Sequence, residues 1–155
     1  MVSCLYPDVN AFTEEYHKWG LGSGPMYKIP DEARFLTRVT DLLVTEAGDE
    51  LWLAPGTPRN WLGPGKNINV YNTETVFGKV SYELKCSAKS NTVEAIIAIP
   101  SDLPEGKVKL FVRSPFEKPI KAVMINGKAW NNWDGLKEAI VLPSKVGALN
   151  IIVTY

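Results

Sequence analysis

The sequence predicts a mainly β fold, an antiparallel β-sandwich preceded by a short helical segment. In the second half of the 155-residue chain, apolar and polar residues alternate in several short runs that are separated by turn residues. In the first half, apolar residues instead recur every three or four positions, which is the spacing of a helix. We therefore expect a helical segment with a Pro/Trp-rich junction over residues 1–62 and an antiparallel β-sandwich over residues 63–155.

Two helices are predicted in the first region. Residues 10–19 form a short helix with asparagine at the N-cap. The glycine-rich residues 20–24 then break it, and we interpret them as a flexible connection because no strand precedes them as in a phosphate loop. The stronger helix spans residues 31–47, with Pro30 at its start and Gly48 as its stop. Its apolar stripe consists of Phe35, Leu36, Val39, Leu42, Leu43 and Ala47.

The second region is predicted to form about six to eight short strands. Asn126-Gly127 is the strongest hairpin signal in this region. One face of each strand is polar, so we expect two sheets to meet through their apolar faces. The expected inward positions are Val80, Tyr82, Leu84, Cys86 and Ala88; Val93, Ala95, Ile97 and Ile99; Val108, Leu110 and Val112; Ile120, Val123 and Ile125; Ala139 and Val141; Leu149, Ile151, Val153 and Tyr155.

Composition excludes several functional classes. Seventeen basic residues balance seventeen acidic ones, which argues against binding to nucleic acid or to an anionic membrane surface. No apolar run approaches the roughly 20 residues that a membrane span needs, and the first residues do not have the pattern of a secretion signal. One histidine, His17, and two distant cysteines, Cys4 and Cys86, supply neither a metal site nor a disulfide framework. We expect no cofactor.

The junction at residues 48–62 holds the first candidate site. It brings together Asp49, Glu50, Trp52, Arg59 and Trp61. Carboxylates beside tryptophans can bind a sugar, because its C–H face stacks on an indole ring while its hydroxyl groups bond to the carboxylates. Paired carboxylates can also hydrolyse a glycosidic bond when they lie about 5 to 10 Å apart across it. The alternative is that the tryptophans are packing anchors.

The second candidate site follows the predicted hairpin. It consists of Trp130, Asn131, Asn132, Trp133 and Asp134. Two tryptophans with amides and a carboxylate in a loop are typical of a carbohydrate-binding surface. The alternative is that one or both rings cover the end of the sandwich core, since tryptophan is usually largely buried. The predicted substrate-binding residues of the two sites are Asp49, Glu50, Trp52, Trp130 and Trp133.

Four segments carry a resemblance to a known group of enzymes. Residues 30–36 (PDEARFL) and 48–62 (GDELWLAPGTPRNWL) resemble the end of the catalytic toroid in six-hairpin, (α/α)6-barrel glycoside hydrolases. Residues 77–82 (FGKVSY) and 119–130 (PIKAVMINGKAW) resemble parts of the β-domain that follows this toroid. The resemblance covers the chain from about residue 30 onward. The junction segment is its more specific part.

The resemblance implies a non-catalytic C-terminal β-domain, present as a fragment of a glycoside hydrolase, with a structural or accessory role in carbohydrate processing. The catalytic carboxylates of such enzymes lie in the central cavity of the toroid, and none of them can be placed on this chain. A free-standing carbohydrate-binding module that uses Trp130 and Trp133 is the alternative. A third hypothesis is an enzyme that uses Asp49 and Glu50. The partners that follow are a carbohydrate ligand, the missing toroid, or a second copy that covers the helical stripe.

Overall fold

The computed structural model describes the backbone of residues 5–6, 11–16, 22–26, 29–87, 89–100, 103–104, 106–143 and 147–155, with side chains from Glu32 onward. The chain divides into two compact units, residues 1–41 and 42–155. In the first unit, β1 (Leu5–Tyr6), β2 (Ala11–Tyr16) and β3 (Gly22–Met26) form an antiparallel sheet in the order β1-β2-β3. His17 and Cys4, which we expected to bind no metal, lie outside the described residues.

The first predicted helix is wrong, because residues 11–16 of its span form β2. A lone helix of about ten residues is marginal in water. This segment contains Phe, Thr and Tyr, which favour strands, and it pairs with neighbours on both sides. The flexible connection expected at residues 20–24 is also partly wrong, since residues 22–24 begin β3.

The second predicted helix exists but ends four residues earlier than expected. Helix α1 spans Ile29–Leu43, and it is followed by β4 (Val44–Ala47) and β5 (Glu50–Leu53). These two strands pair antiparallel across a two-residue turn. Gly48 has a φ of +66°, which suits the first central position of such a turn. Gly48 therefore closes a hairpin instead of stopping the helix.

The remaining elements all belong to the second unit. A 3₁₀ helix spans Arg59–Leu62. The strands that follow it are β6 (Asn67–Thr73), β7 (Val80–Ser87), β8 (Thr92–Ala98), β9 (Val108–Phe111), β10 (Ala122–Ile125), β11 (Lys128–Trp130), β12 (Trp133–Asp134), β13 (Ala139–Val141) and β14 (Ala148–Thr154). All predicted strands are present, and the Asn126-Gly127 hairpin joins β10 to β11. The face predicted for β13 is wrong, because Ile140 is buried in the core whereas Ala139 and Val141 lie on the outer face. Ala88, which was also expected to point inward, lies outside the described residues. Strands β4, β5, β6 and β12 lie outside the predicted set.

The second unit is a β-sandwich, as predicted. One sheet has six strands in the order β11-β10-β14-β8-β7-β6, and the other has five in the order β12-β13-β9-β5-β4. Neighbouring strands are antiparallel except for β5 and β9, which are parallel. The two apolar faces form one core that includes Leu53, Leu84, Ile97, Leu110 and Ile151.

The division of the structure differs from the expected boundary between residues 62 and 63. Strand β5 forms ladders with β4 and β9, and Leu51, Leu53 and Leu62 are fully buried. Most of the segment that the sequence marks as a junction is therefore part of the sandwich. The boundary moves to the chain between residues 41 and 42 because the alternation of residues 50–53 supplies a core strand.

Candidate functional site

A cleft of about 600 Å³ lies on the outer face of the five-stranded sheet. Its floor comes from outward positions of β5, β9 and β13, which alternate with the buried residues Leu53, Leu110 and Ile140. The loop between β12 and β13 contributes a wall. The residues that line the cleft are Trp52, Lys109, Phe111, Arg113, Asn132, Trp133, Asp134, Lys137, Ala139 and Val141.

Strand register brings these residues together from distant parts of the chain. Trp52 is paired with Lys109, and Lys109 is paired with Val141, across three adjacent strands. Phe111 is paired with Ala139 in the next outward row. Directly paired residues point to the same face of a sheet. The junction site and the loop site of the sequence therefore contribute to one cleft.

The floor of the cleft is aromatic. The ring centroids of Trp52 and Phe111 lie 5.4 Å apart with an interplanar angle of 54°, within the range of favourable tilted aromatic pairs. Both side chains are half-buried. They present an apolar surface bordered by polar side chains, which is the usual composition of a small-molecule site.

Trp133 forms a wall of the cleft at the sheet edge. It is paired with Ile140, packs against the core, and also lines the cleft. A Cβ atom at Gly135 would lie 3.1 Å from the Trp133 ring. The absence of a side chain there lets the loop backbone approach the indole closely, so the loop supports the ring.

Asp134 shapes the loop behind this wall. Its Oδ1 accepts hydrogen bonds from the backbone N–H groups of Leu136 at 2.9 Å and Lys137 at 3.1 Å. The bond from Lys137 is the main reason that the pKa of Asp134 lies below its usual value. Its Oδ2 lies 3.7 Å from Lys137 Nζ. The carboxylate is therefore charged, and it serves mainly to hold the loop.

Glu50 lies beside Trp52 on the outer face of β5. It accepts a 2.7 Å hydrogen bond from the Trp52 indole N–H, and both of its oxygens lie 2.7 Å from Lys109 Nζ. The hydrogen bond from Lys109, followed by that from Trp52, lowers the pKa of Glu50. Lys109 Nζ also lies 5.8 Å from the Trp52 ring centroid, within the range of a cation–π contact. Glu50 thus fixes Trp52 and does not itself line the cleft.

Asp49 lies in the turn between β4 and β5 and does not line the cleft. Its carboxylate forms an exposed ion pair with Lys107. The hydrogen bond from Lys107 lowers the pKa of Asp49.

Arg59 is part of a separate ionic network. Its guanidinium donates two hydrogen bonds to Glu138, at 2.6 and 2.8 Å, and a third to the Ser114 carbonyl at 3.1 Å. The Ser114 backbone N–H also donates to Glu138 at 2.9 Å. Burial would raise the pKa of Glu138, but the bonds from Arg59 and Ser114 outweigh it, and the pKa lies below its usual value. Arg59 therefore fastens the 3₁₀ helix to the strands.

Arg113 joins this network to the cleft. Its guanidinium lies 3.4 Å from Glu138 Oε2 and 3.3 Å from the Pro55 carbonyl, and it also lines the cleft. Arg113, Phe111 and Lys109 occupy alternate outward positions on and just beyond β9. Sequence reasoning missed these three residues. The available signal was a phenylalanine at an outward position between two cations.

The other predicted tryptophans lie elsewhere. Trp130 donates its indole N–H to the Val141 carbonyl at 2.9 Å, packs against the core, and does not line the cleft. Trp61 lines a different, open groove together with Leu43 and Ile68. Of the five predicted substrate-binding residues, the structure places Trp52 and Trp133 in the cleft, Glu50 beside it, and Asp49 and Trp130 outside it.

Outside the cleft, the described part of the chain holds few groups suited to metal binding or nucleophilic chemistry. Its one described cysteine, Cys86, and its acidic side chains form no cluster suited to a metal ion. Cys86 is a buried free thiol, and burial raises its pKa. No helix among the described residues has the length and apolarity to span a membrane. The chemistry that the cleft offers is that of its aromatic and charged side chains.

No protein-family model matches the chain, and no curated protein has a significant sequence match to it. By its fold and its site, the second unit is a β-sandwich with an aromatic cleft on the outer face of one sheet.

Proposed function

We propose that this chain is a non-catalytic β-domain of a glycoside hydrolase and that its cleft binds a saccharide. The observation that carries the proposal is the convergence of Trp52 and Trp133 on one cleft. The sequence marks both residues as sugar-binding candidates. An aromatic floor and wall with charged and amide groups at the border is an arrangement that accepts a sugar ring with its hydroxyl groups.

The state of the carboxylates supports a binding role over hydrolysis. A glycosidase needs one carboxylic acid whose pKa is raised, so that it can donate a proton to the leaving oxygen. The pKa values of Glu50, Asp134 and Asp49 are all lowered. Each of these groups is held as a charged hydrogen-bond acceptor. A catalytic toroid, as the resemblance implies, would supply the acid in the intact enzyme.

Affinity electrophoresis tests this proposal. The chain is run through gels that contain soluble polysaccharides, including xylan, xyloglucan, galactan and polygalacturonate. We expect retardation by at least one of them, and a loss of about tenfold in affinity in Trp52→Ala and in Trp133→Ala, which corresponds to about 1.4 kcal/mol each. Trp61→Ala is the matched control, because Trp61 lies in the other groove.

The outcomes separate the alternatives. Absence of retardation by every polysaccharide contradicts the proposal, as does retardation that survives both cleft substitutions. The alternative module, which would use Trp130 and Trp133, requires Trp130→Phe to weaken binding as much as Trp133→Ala does. We expect Trp130→Phe to bind normally, because the Trp130 ring packs on the core and bonds to Val141.

A further inference from the structure

The charges around the cleft do not cancel. The charged residues that line the cleft are three basic side chains, Lys109, Arg113 and Lys137, and one carboxylate, Asp134. Glu50 neutralises Lys109 from beside the cleft, and Glu138 is shared between Arg59 and Arg113. The whole chain is neutral, so this local excess is not a consequence of a generally basic surface.

Arg113 is the cleft cation whose positive charge is least well neutralised by a carboxylate. Glu138 is bound most closely by Arg59, whose two nitrogens lie 2.6 and 2.8 Å from its oxygens. Arg113 reaches the same carboxylate only at 3.4 Å. Its other hydrogen bond, to the Pro55 carbonyl, is 3.3 Å long. A guanidinium has five N–H donors, and this one lines the cleft with donors left for a ligand.

Arg113 is also placed beside the aromatic floor. It follows Phe111 by two residues on the same face of the chain, a distance of about 7 Å along a strand. A sugar ring over Phe111 would bring a carboxylate on that ring within reach of the guanidinium. The planar fork of arginine matches a carboxylate in a bidentate arrangement.

We propose that the cleft selects an acidic saccharide, a uronate-containing chain whose carboxylate binds Arg113 while its ring lies against the aromatic floor. This proposal rests on the proposed saccharide-binding function and adds the class of ligand. Lys137, whose side chain is 78% exposed and 3.7 Å from Asp134, adds positive potential at the border of the cleft. Binding is therefore electrostatic in part and weakens as salt rises.

Isothermal titration calorimetry with a matched ligand pair tests this. The ligands are an oligogalacturonate and the same oligomer with its carboxylates methyl-esterified, which removes the charge and keeps the sugar chain. We expect the acid to bind at least about tenfold more tightly than the ester at low ionic strength. The difference should shrink as sodium chloride is raised toward 1 M, where the screening length falls to about 3 Å.

Two variants assign the effect to the cleft. Arg113→Gln should abolish the preference for the acid over the ester. Because Arg113 also contacts Glu138, Lys137→Glu provides a second variant at an exposed position, and it should weaken binding of the acid by about threefold to tenfold. The matched control is Lys128→Glu, an exposed lysine on β11 that does not line the cleft. It should leave both affinities unchanged.

The results distinguish this proposal from the one on which it depends. Equal affinities for acid and ester overturn the acidic-ligand proposal while supporting saccharide binding. A preference for the acid that persists in Arg113→Gln and in Lys137→Glu also overturns it. If neither oligomer binds, the acidic-ligand proposal is overturned, and retardation by the neutral polysaccharides then decides the proposed function separately. A sulfated dextran that competes as well as the oligogalacturonate would overturn the carboxylate assignment.

Discussion

Glu138 is a buried charged residue at the centre of the ionic network beside the cleft. Its side chain is only 9% exposed, yet it carries a charge that three different groups stabilise: Arg59, Arg113 and the Ser114 backbone. Removing one partner of a buried ion pair leaves the other unsatisfied. Arg59 is about half-exposed, so solvent moderates this cost.

We expect Glu138→Gln to lower the free energy of unfolding by about 1 to 3 kcal/mol, the range for loss of charged hydrogen bonds. Urea denaturation followed by tryptophan fluorescence measures it. Glu74→Gln is the control, because Glu74 is 71% exposed and its pair with Lys79 lies on the surface; it should change stability by less than about 0.5 kcal/mol. A Glu138→Gln variant as stable as the parent would mean that the network adds nothing.

The same residue predicts a pH dependence. The pKa of Glu138 is lower in the folded state than its ordinary value of 4.5, so the unfolded state binds the proton more readily. The stabilisation is therefore complete above pH 4.5 and is lost as the pH falls through the folded-state pKa. In a urea series from pH 7 to pH 3, the stability difference between the parent and Glu138→Gln should shrink in the acidic range. If the stability curves of the parent and Glu138→Gln stay parallel down to pH 3, the predicted direction of the pH dependence is wrong.

Some residues of the cleft could be predicted from the sequence. Trp52 and Trp133 were identifiable because tryptophan beside carboxylates and amides is an uncommon combination. The partners of the charged groups were not predictable. Glu50 meets Lys109 through the pairing of β5 with β9, and Arg59 of the 3₁₀ helix meets Glu138, which precedes β13, through tertiary packing. The positive φ of Glu138, 53°, is likewise set by the loop and not by the residue type.

At the level of elements, the end of α1 determines how the chain enters the sandwich. The carbonyl of Leu43 accepts bonds from the Ala54 backbone N–H at 2.7 Å and from the Tyr82 hydroxyl at 2.9 Å, and that of Leu42 accepts one from the Gly56 backbone N–H at 3.1 Å. The last helical carbonyls, which have no partner within a helix, are thus bound by the segment after β5. The helix end and the β4–β5 hairpin form one connected structure.

Gly56 is the tightest point of this connection. A Cβ atom there would overlap Leu42 Cδ2 and would lie 3.1 Å from Leu42 Cα. We expect Gly56→Ala to destabilise the protein by about 1 to 3 kcal/mol, since the backbones must separate. Gly63→Ala is the matched control: its φ of −60° suits alanine, and its nearest contacts are 3.5 Å or longer. Equal melting temperatures for the two variants would show that the connection has room to adjust.

The strands with strict alternation were predictable, and the hairpin after α1 was not. Leu42, Leu43 and Ala47 continue the helical spacing of the apolar stripe, which favours a longer helix. The competing signals were the β-branched pair Val44-Thr45 and the two-residue turn at Gly48-Asp49. Tertiary pairing with β9 decides between them, because β5 places Leu51 and Leu53 in the core.

In the whole molecule, the sandwich core is complete within the second unit. Among the side chains that the structure describes, every buried apolar residue lies between Val44 and Tyr155. The cleft and the ionic network lie in the same unit. Sequence alternation predicted this core well, whereas the boundary near residue 41 depends on pairings that alternation cannot specify.

We therefore expect a fragment of residues 42–155 to fold by itself. Its thermal unfolding should be cooperative, and its near-ultraviolet circular dichroism should retain the aromatic signal of the sandwich. Its affinity for any saccharide that retards the full chain should agree within about twofold. A fragment without a cooperative transition would show that residues 1–41 are needed to complete the fold.

An ¹H–¹⁵N NMR titration of the indole N–H signals tests whether a saccharide binds between Trp52 and Trp133. The ligands are oligogalacturonate, its methyl ester, xylo-oligosaccharide and galacto-oligosaccharide. We predict that a binding oligosaccharide shifts the signals of Trp52 and Trp133 with a common saturation curve. The signals of Trp61 and Trp130 should stay in place. Shifts confined to Trp61 or Trp130, or no indole shift with any of the four ligands, would contradict the assignment of this cleft as a saccharide site.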